Sequence, residues 1–452
     1  MSVNMTYGGH AKAILFLGLP LIGGHLAQYA IGLTDTVMLG WYSVEALAAV
    51  TLSHSYFFVF FMLGSGFALA VMPMVAAAAA RDDEVSVRRA TRMGLWLSLG
   101  FALLVMPIMW KAKTVLGLLG QTPEVAEAGG KYLRIAGFGL IPALLVMVIK
   151  SYLAALERTR IVLWITVLAA FSNALANYIL IFGNLGAPEL GLRGAAIASV
   201  LTQSVSLVAI VFYAIRALPD HNLFQRLWRP DWEMFGQVFR LGLPIGMTTV
   251  CEVSLFAASS LMMGWLGTVT LAAHGIVITV AAAAFMVHLG LSNVATIRAG
   301  NAFGRGDRAH MARGALVVSL LSLAIACITI TAFLIVPEPV VGLFIEPDDP
   351  ARPAILIAGV QLLAIAALFQ LVDGAQVIAL GLLRGVQDTA VPMMIAILSY
   401  WAVGLSVSYL LGFVVGWGGV GVWLGLTAGL ASAALLLMLR FWGKSLSEVG
   451  YA

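Results

Sequence analysis

The sequence predicts an all-α polytopic membrane protein of twelve transmembrane helices, arranged as two pseudo-symmetric six-helix bundles. Three observations predict it. First, 61% of the 452 residues are hydrophobic and only 10% are charged, against about 25% charged in an ordinary soluble domain. The mean hydropathy is +1.00. A water-soluble chain has no means of burying so much apolar surface, so lipid is the solvent. Second, the apolar residues fall in runs long enough to cross the hydrocarbon, which takes about 20 residues of helix. Third, the second half of the chain repeats the first.

The runs lie near 13–40, 46–80, 92–119, 130–155, 161–183, 191–216, 237–265, 270–299, 312–337, 354–383, 391–413 and 419–442. Several exceed the minimum, so tilt or kinking is expected, with Pro20, Pro142 and Pro244 as candidate kinks. The opening "MSVNMTYGGHAK" is short and polar. The run after it is too long for a signal-peptide core and shows no cleavage site, so the first helix is expected to stay.

Basic residues orient the helices. With both termini cytoplasmic, the inner segments hold Lys12, Arg81, Arg88, Arg89, Arg92, Arg158, Arg160, Arg216, Arg226, Arg229, Arg240, Arg298, Arg305, Arg308, Arg313, Arg384, Arg440 and Lys444. The outer segments hold Lys111, Lys113, Lys131, Arg134, Arg193 and Arg352. This three-to-one bias predicts cytoplasmic termini. Lys150 falls inside a span near its inner end and is expected to snorkel.

The repeat has an offset of 224 residues. "GLP" at 18–20 returns at 242–244, "MLGW" at 38–41 as "MMGW" at 262–265, and "LAA" at 47–49 at 271–273. Gly66 aligns with Gly290, Arg81 with Arg305 and Asp83 with Asp307. The expected organisation is an N-lobe (1–220, helices 1–6), a cytoplasmic linker (221–236) and a C-lobe (237–452, helices 7–12). Six helices is an even number, so both lobes start on the same side, a parallel repeat of the kind transporters use.

Other classes are excluded or disfavoured. The net charge of +4 comes from short loops and does not point to nucleic acid. Cys251 and Cys327 sit in apolar runs with no metal or disulfide spacing and read as buried structural thiols. There is no G-x-x-x-x-G-K-[ST] phosphate loop and no nucleophile–base or metal-ligand constellation. No cofactor is expected, and energy must come from an ion gradient or from nothing.

Ionisable groups inside the spans are the functional candidates. Three occur at depth, Asp35, Glu252 and Asp373, all acidic and none with a fixed cation nearby in its own span. Their natural partners are a proton, a metal cation or a cationic substrate. Gln28 and Asp35 are seven residues apart, as are their repeat equivalents Glu252 and Ser259, so each pair shares a helix face. Asn173 and Asn177 are four apart and share a face. They match Asp35 in depth, and with the Ser199 hydroxyl they would make an oxygen-rich nest, which hard cations such as Na+ prefer. Gln370, Asp373 and Gln376 line one side of helix 10. His25, His54, His274 and His288 show no ligand spacing and are expected to make core hydrogen bonds.

The stretches "LGLPLIGGHLAQYAIGLTDTVMLGW", "LGLPIGMTTVCEVSLFAASSLMMGWLG" and "FQLVDGAQVIALGLLRGVQDTAVPM" together resemble the multidrug and toxic compound extrusion (MATE) family. The resemblance covers nearly the whole chain and is greatest to the NorM-like bacterial branch, because helix 7 keeps its acid, Glu252. It implies two six-helix lobes around a V-shaped cleft and export of organic, often cationic, drugs in exchange for Na+ or H+. It also implies that Asp35, Asn173 and Asn177 are the cation-linked cluster of the first lobe, and that Glu252 and Asp373 are the acidic pair of the second. One departure stands out. Relatives often carry Tyr four residues before the helix-10 Asp, where this chain has Phe369, so a hydroxyl ligand is missing. The expected partners are small-molecule drugs and organic cations, the coupling cation and the lipid bilayer, around a monomer. The alternative is a lipid-linked precursor flippase of a related fold, whose cleft would carry Arg or Lys rather than acids.

Overall fold

In the computed structural model, residues 5–449 are described. The extreme termini expected on the cytoplasmic side, 1–4 and 450–452, lie outside the described residues. Twelve helices are long and apolar enough to cross a membrane, and no strand occurs among the described residues. They are α1 (Tyr7–Tyr42), α2 (Val44–Ala79), α3 (Glu84–Trp110), α4 (Pro123–Ala155), α5 (Thr159–Phe182), α6 (Gly191–Ala217), α7 (Trp232–Leu266), α8 (Thr268–Arg305), α9 (Arg308–Ile335), α10 (Arg352–Gly385), α11 (Ala390–Val414) and α12 (Gly418–Glu448). An open backbone N–H or C=O in hydrocarbon has no water to bond, which leaves helix as the economical form for each crossing.

The expected runs and the helices differ most where polar turns are helical. The third run was expected at 92–119, but α3 begins at Glu84. The Asp83 carboxylate caps it, accepting from the Ser86 amide at 2.9 Å. The first turns carry Arg88, Arg89 and Arg92, which hydropathy discounts but a helix tolerates at the membrane edge. Beyond Trp110 the chain forms a separate short helix, Ala112–Leu118. In α4 the interruption falls where proline chemistry puts it. A proline ring clashes with the carbonyl four residues back. For Pro142 that is the carbonyl of Phe138, inside the 3-10 turn Gly137–Gly139 that divides α4. Pro20 and Pro244 lie within unbroken α1 and α7. α11 contains two π-helical stretches, Leu398–Leu405 and Leu410–Val414.

The chain divides into two compact units, Gly23–Gly246 and Met1–Ile22 with Met247–Ala452. The divisions fall inside α1 and α7, not at 221–236. Close packing at two repeat-related glycines explains this. In the first unit the opening half of α7 seats on α2. A Cβ on Gly66 would lie 2.2 Å from the Gly242 carbonyl oxygen and 2.4 Å from the Gly246 amide nitrogen. In the second unit the opening half of α1 seats on α8, and a Cβ on Gly290 would lie 2.5 Å from Ile22 Cγ1. Gly66 with Gly290 and Ile22 with Gly246 both obey the 224-residue offset. Each unit therefore takes in the first half of a helix that the repeat assigns to the other half. The caps repeat too, because Asp307 accepts from the His310 amide at 2.9 Å as Asp83 does from Ser86.

The polar stretch before α7 is fastened to the first unit. Arg92 donates to the carbonyls of Leu223 (2.7 Å) and Asn222 (2.6 Å), and Trp96 Nε1 donates to that of Leu227 (2.7 Å). Arg89 forms a fork onto Asp231, Nε to Oδ2 at 2.5 Å and Nη2 to Oδ1 at 3.1 Å. The Asp231 carboxylate also caps α7 through the Met234 amide at 3.1 Å. The Arg89 guanidinium, helped by that amide, holds the Asp231 carboxyl below the usual carboxylate range.

Two predictions follow from this packing. Gly66→Val drives methyl groups into the backbone of α7 and is expected to cost about 3 kcal/mol or more. Gly32→Ala meets nothing within 4 Å and should be tolerated. Thermal unfolding of both variants in detergent measures this. For Asp231, whose native pKa is depressed, the linked stability is complete above the ordinary Asp value of about 3.9 and is lost as pH falls through the native value. The stability gap between wild type and Asp231→Asn should thus be flat from neutral pH down to that region and shrink below it, read by unfolding midpoints across a pH series.

Candidate functional site

In the first unit α5 presents Asn173 and Asn177 on one face, both buried. The Asn177 amide donates to Asp35 Oδ1 on α1 at 2.5 Å and lies 3.3 Å from Asn173 Oδ1. Three residues expected to converge therefore do so. Asn177 spends its donor on the carboxylate, and its own Oδ1 is buried with no hydrogen-bond partner. A buried acceptor left open costs about 1–3 kcal/mol. Ser199, placed by expectation in the same nest, donates to Ala195 O at 3.1 Å on its own helix α6 and also bonds Tyr132. Tyr132 and His54 lie within electrostatic reach of Asp35, and neither was identified as a site residue from sequence. Gln28 is exposed on α1, two turns from Asp35.

In the second unit α10 carries Gln370, Asp373 and Gln376, all buried. Gln370 donates to Ala281 O on α8 at 3.2 Å, and Gln376 donates to the Tyr400 hydroxyl in the first π stretch of α11. Gln370 Oε1, Asp373 Oδ1 and Gln376 Oε1 are buried without partners. Glu252 on α7 is half-buried and within electrostatic reach of Asp373 and Arg384. Ser259, its stripe mate, is buried and donates to Phe256 O at 2.7 Å. Arg384 was counted with the inner loop, but it belongs to the last turn of α10, and among the described residues no ion pair fixes it to an acid within 4 Å. Eleven residues separate it from Asp373, close to three turns, so a shared face was readable in the spacing. Tyr400 comes from another helix and left no such trace.

Phe369 is buried in an aromatic group, edge-on to Phe256 (6.0 Å between centroids) and Trp423 (5.5 Å). The histidine expectation holds at two positions. His274 bonds Ser260 (3.0 Å) and accepts from Trp423 Nε1 (3.1 Å), and His288 bonds Ser322 (2.9 Å). His54 instead stacks on Phe58 at 6.1 Å. Both cysteines are free, but Cys251 is only half-buried and Cys327 is exposed, so neither is the buried thiol expected. Among the described residues no cluster of three or more His, Cys, Asp or Glu could hold a metal ion.

These features define a class: a polytopic membrane protein of two repeats, each holding a carboxylate, half-buried Asp35 or buried Asp373, near a buried amide oxygen without a hydrogen-bond partner. The MatE family model matches residues 20–179 and 244–410, two segments that start 224 residues apart, and the chain belongs to this family. It is 45% identical over 435 residues to the probable multidrug resistance protein NorM of Rhizobium meliloti, covering 96% of this chain and 93% of that protein. To the protein of that name in Synechocystis sp. it is 35% identical over 443 residues, covering 97% and 96%. Its fold matches the eukaryotic MATE transporter AtDTX14 (TM-score 0.86, 17% identity, 98% and 99% covered). It also matches an outward-facing multidrug resistance MATE transporter of the MOP superfamily (TM-score 0.88, 20% identity, 98% and 97% covered). The family is one of transporters, and the chain is not an enzyme.

Asn177 supplies the amide hydrogen that solvates Asp35. Asn177→Leu, close in size, removes it and is expected to destabilise the first unit by about 1.5–3 kcal/mol, the worth of a hydrogen bond to a charged group. Asp35→Asn, which keeps a neutral acceptor, should cost less. Unfolding of the two purified variants at neutral pH ranks them.

Proposed function

We propose that the protein is a secondary active multidrug exporter, which expels organic and often cationic compounds in exchange for Na+ or H+ by alternating access. It works as a monomer in a bacterial inner membrane with both termini in the cytoplasm. The family and the NorM relatives support multidrug efflux, and they do not favour the flippase alternative. The observation that carries the coupling is the set of open oxygens near carboxylates that, among the described residues, no ammonium or guanidinium neutralises within 4 Å.

The two clusters suit different ions. Asp35, Asn173 and Asn177 offer one carboxylate and amide oxygens, hard donors of the kind Na+ takes. The second cluster has Arg384 near Glu252 and Phe369 in place of a hydroxyl, so a proton on Asp373 or Glu252 fits it better than a second Na+. In the proposed cycle an ion entering from outside neutralises a carboxylate, and the loss of charge frees the drug. The emptied carboxylate then accepts a cationic drug from inside. An ion can drive such a cycle only by binding the two states with different affinity, and a carboxylate whose access to water changes between states provides that difference.

Cells carrying Asp35→Asn or Asp373→Asn should accumulate a cationic dye to the level of cells without the protein. Wild-type efflux in both would remove the coupling assignment. Proteoliposomes with a Na+ or a pH gradient imposed separately would show which ion drives transport.

A further inference from the structure

A cavity of about 660 Å³ opens in the first unit, and Asp35, Asn173 and Asn177 are not among its walls. The opening turns of α4 line it with Glu124, Glu127 and Lys131. The approach to α6 and its first turn line it with Glu189, Leu192 and Arg193. Sites for small ligands span about 300–1,000 Å³, so the volume is that of a binding site rather than of a packing gap.

Its level in the membrane follows from helix length. α4 has 33 residues, about 50 Å of helix, against about 30 Å of hydrocarbon. The opening turns of α4 therefore extend into the headgroup layer. The ends of α1 and α3 lie on the same side as the starts of α4 and α6, since successive spans alternate in direction. Trp41 and Trp110 stand at those two ends and are exposed, as tryptophans are at a membrane–water interface. The cavity opens where lipid headgroups lie.

Part of the charge in its walls is already spent. Glu127 is bridged by Lys131 at 2.8 Å and by Lys113 at 3.4 Å. Glu189 accepts a hydrogen bond from the Tyr42 hydroxyl. Tyr42 reaches it across Gly191, where φ is +52° and a Cβ would lie 2.6 Å from that hydroxyl oxygen. Glycine is needed there on both counts, and the contact ties Glu189 to the end of α1. Among the described residues, Glu124, Glu189 and Arg193 have no ion pair within 4 Å. What remains is two carboxylates and one guanidinium around one cavity. A simple cation answers the acids alone, and a simple phosphate answers the arginine alone. A group with both an ammonium and a phosphate answers all three.

We infer that this cavity between the starts of α4 and α6 holds the headgroup of a phospholipid with a primary amine, an ethanolamine phospholipid. Arg193 takes the phosphate, whose oxygens suit the guanidinium fork. The ammonium has three donors for Glu124 and Glu189. Leu190 and Leu192 give apolar wall to the start of the acyl chains. A choline headgroup has no N–H to donate, and a glycerol headgroup has no positive charge, so each leaves part of the site unanswered. The inference does not depend on which ion or drug the protein carries.

The test is native mass spectrometry of the purified full-length protein in detergent, titrated with ethanolamine and choline phospholipids of identical acyl chains. Wild type should hold the ethanolamine lipid about fivefold or more over the choline lipid. Arg193→Gln and Glu124→Gln should each weaken the ethanolamine lipid about tenfold, the loss of one charge-assisted contact. Arg193→Lys keeps the charge and should keep most of the preference, which separates lost charge from misfolding. Glu346→Gln, at an exposed acid in a loop of the second unit, should leave binding unchanged. Equal retention of the two lipids by wild type, or unchanged retention in Arg193→Gln and Glu124→Gln, would overturn the inference. So would an equal loss in Glu346→Gln, or displacement of the lipid by soluble phosphoethanolamine at the same concentration.

Discussion

Inside a bilayer an unpaired backbone amide costs several kcal/mol, because no water is present to take its hydrogen bond. Each crossing of this chain is accordingly helical, and the polar side chains within the crossings must find partners across helices or leave open atoms at a cost. The Asp35–Asn177 bond, the Gln376–Tyr400 bond and the Lys150–Thr166 bond each join two helices. The open oxygens of Asn177, Gln370, Asp373 and Gln376 are where satisfaction stops. Membrane helices gain little from apolar burial against one another, since lipid is as apolar as leucine. The shape of each unit therefore depends on close backbone approach.

The approach is made by small residues at repeat-related places. Gly66 and Gly290 admit the opening halves of α7 and α1. Ser292 and Thr296 on α8 donate to the Val377 and Gly381 carbonyls of α10 at 2.7 and 2.9 Å. A Cβ on Gly381 would strike the Ser292 carbonyl oxygen at 2.5 Å. This interlock holds α10 in register, so that Gln370, Asp373 and Gln376 meet α8 and α11 at fixed heights. Precise seating of the acid's helix is a condition for an ion site, which tolerates little displacement of its donors.

The two units share a plan and differ in chemistry. The offset of 224 preserves glycines and caps and exchanges the polar residues, so that Asp35 faces Ser259 in the alignment and Glu252 faces Gln28. The first unit keeps its acid beside two asparagines and a separate ammonium. The second gathers two acids, two glutamines, a tyrosine and an arginine. A duplicated scaffold with unequal polar cores can divide ion binding and substrate binding between its halves, which a strictly symmetric protein cannot do.

The sequence by itself determined the number of apolar helices, the repeat and the placing of Asp35, Glu252 and Asp373 within those helices. Hydropathy and helix period are properties of one chain segment at a time. They also paired Asn173 with Asn177 and aligned Gln370, Asp373 and Gln376, because spacing fixes the face a residue occupies on its own helix. Spacing says nothing of the helix opposite. Only the tertiary structure decided that Asn177 meets Asp35, that Ser199 turns to its own backbone, that Tyr400 reaches Gln376, and that Lys150 reaches Thr166. It also placed the unit boundaries inside α1 and α7, where backbone contact at Gly66 and Gly290 outweighs the polar linker as a divider. Those outcomes depend on which helix packs at which glycine, a long-range steric choice that no local pattern encodes.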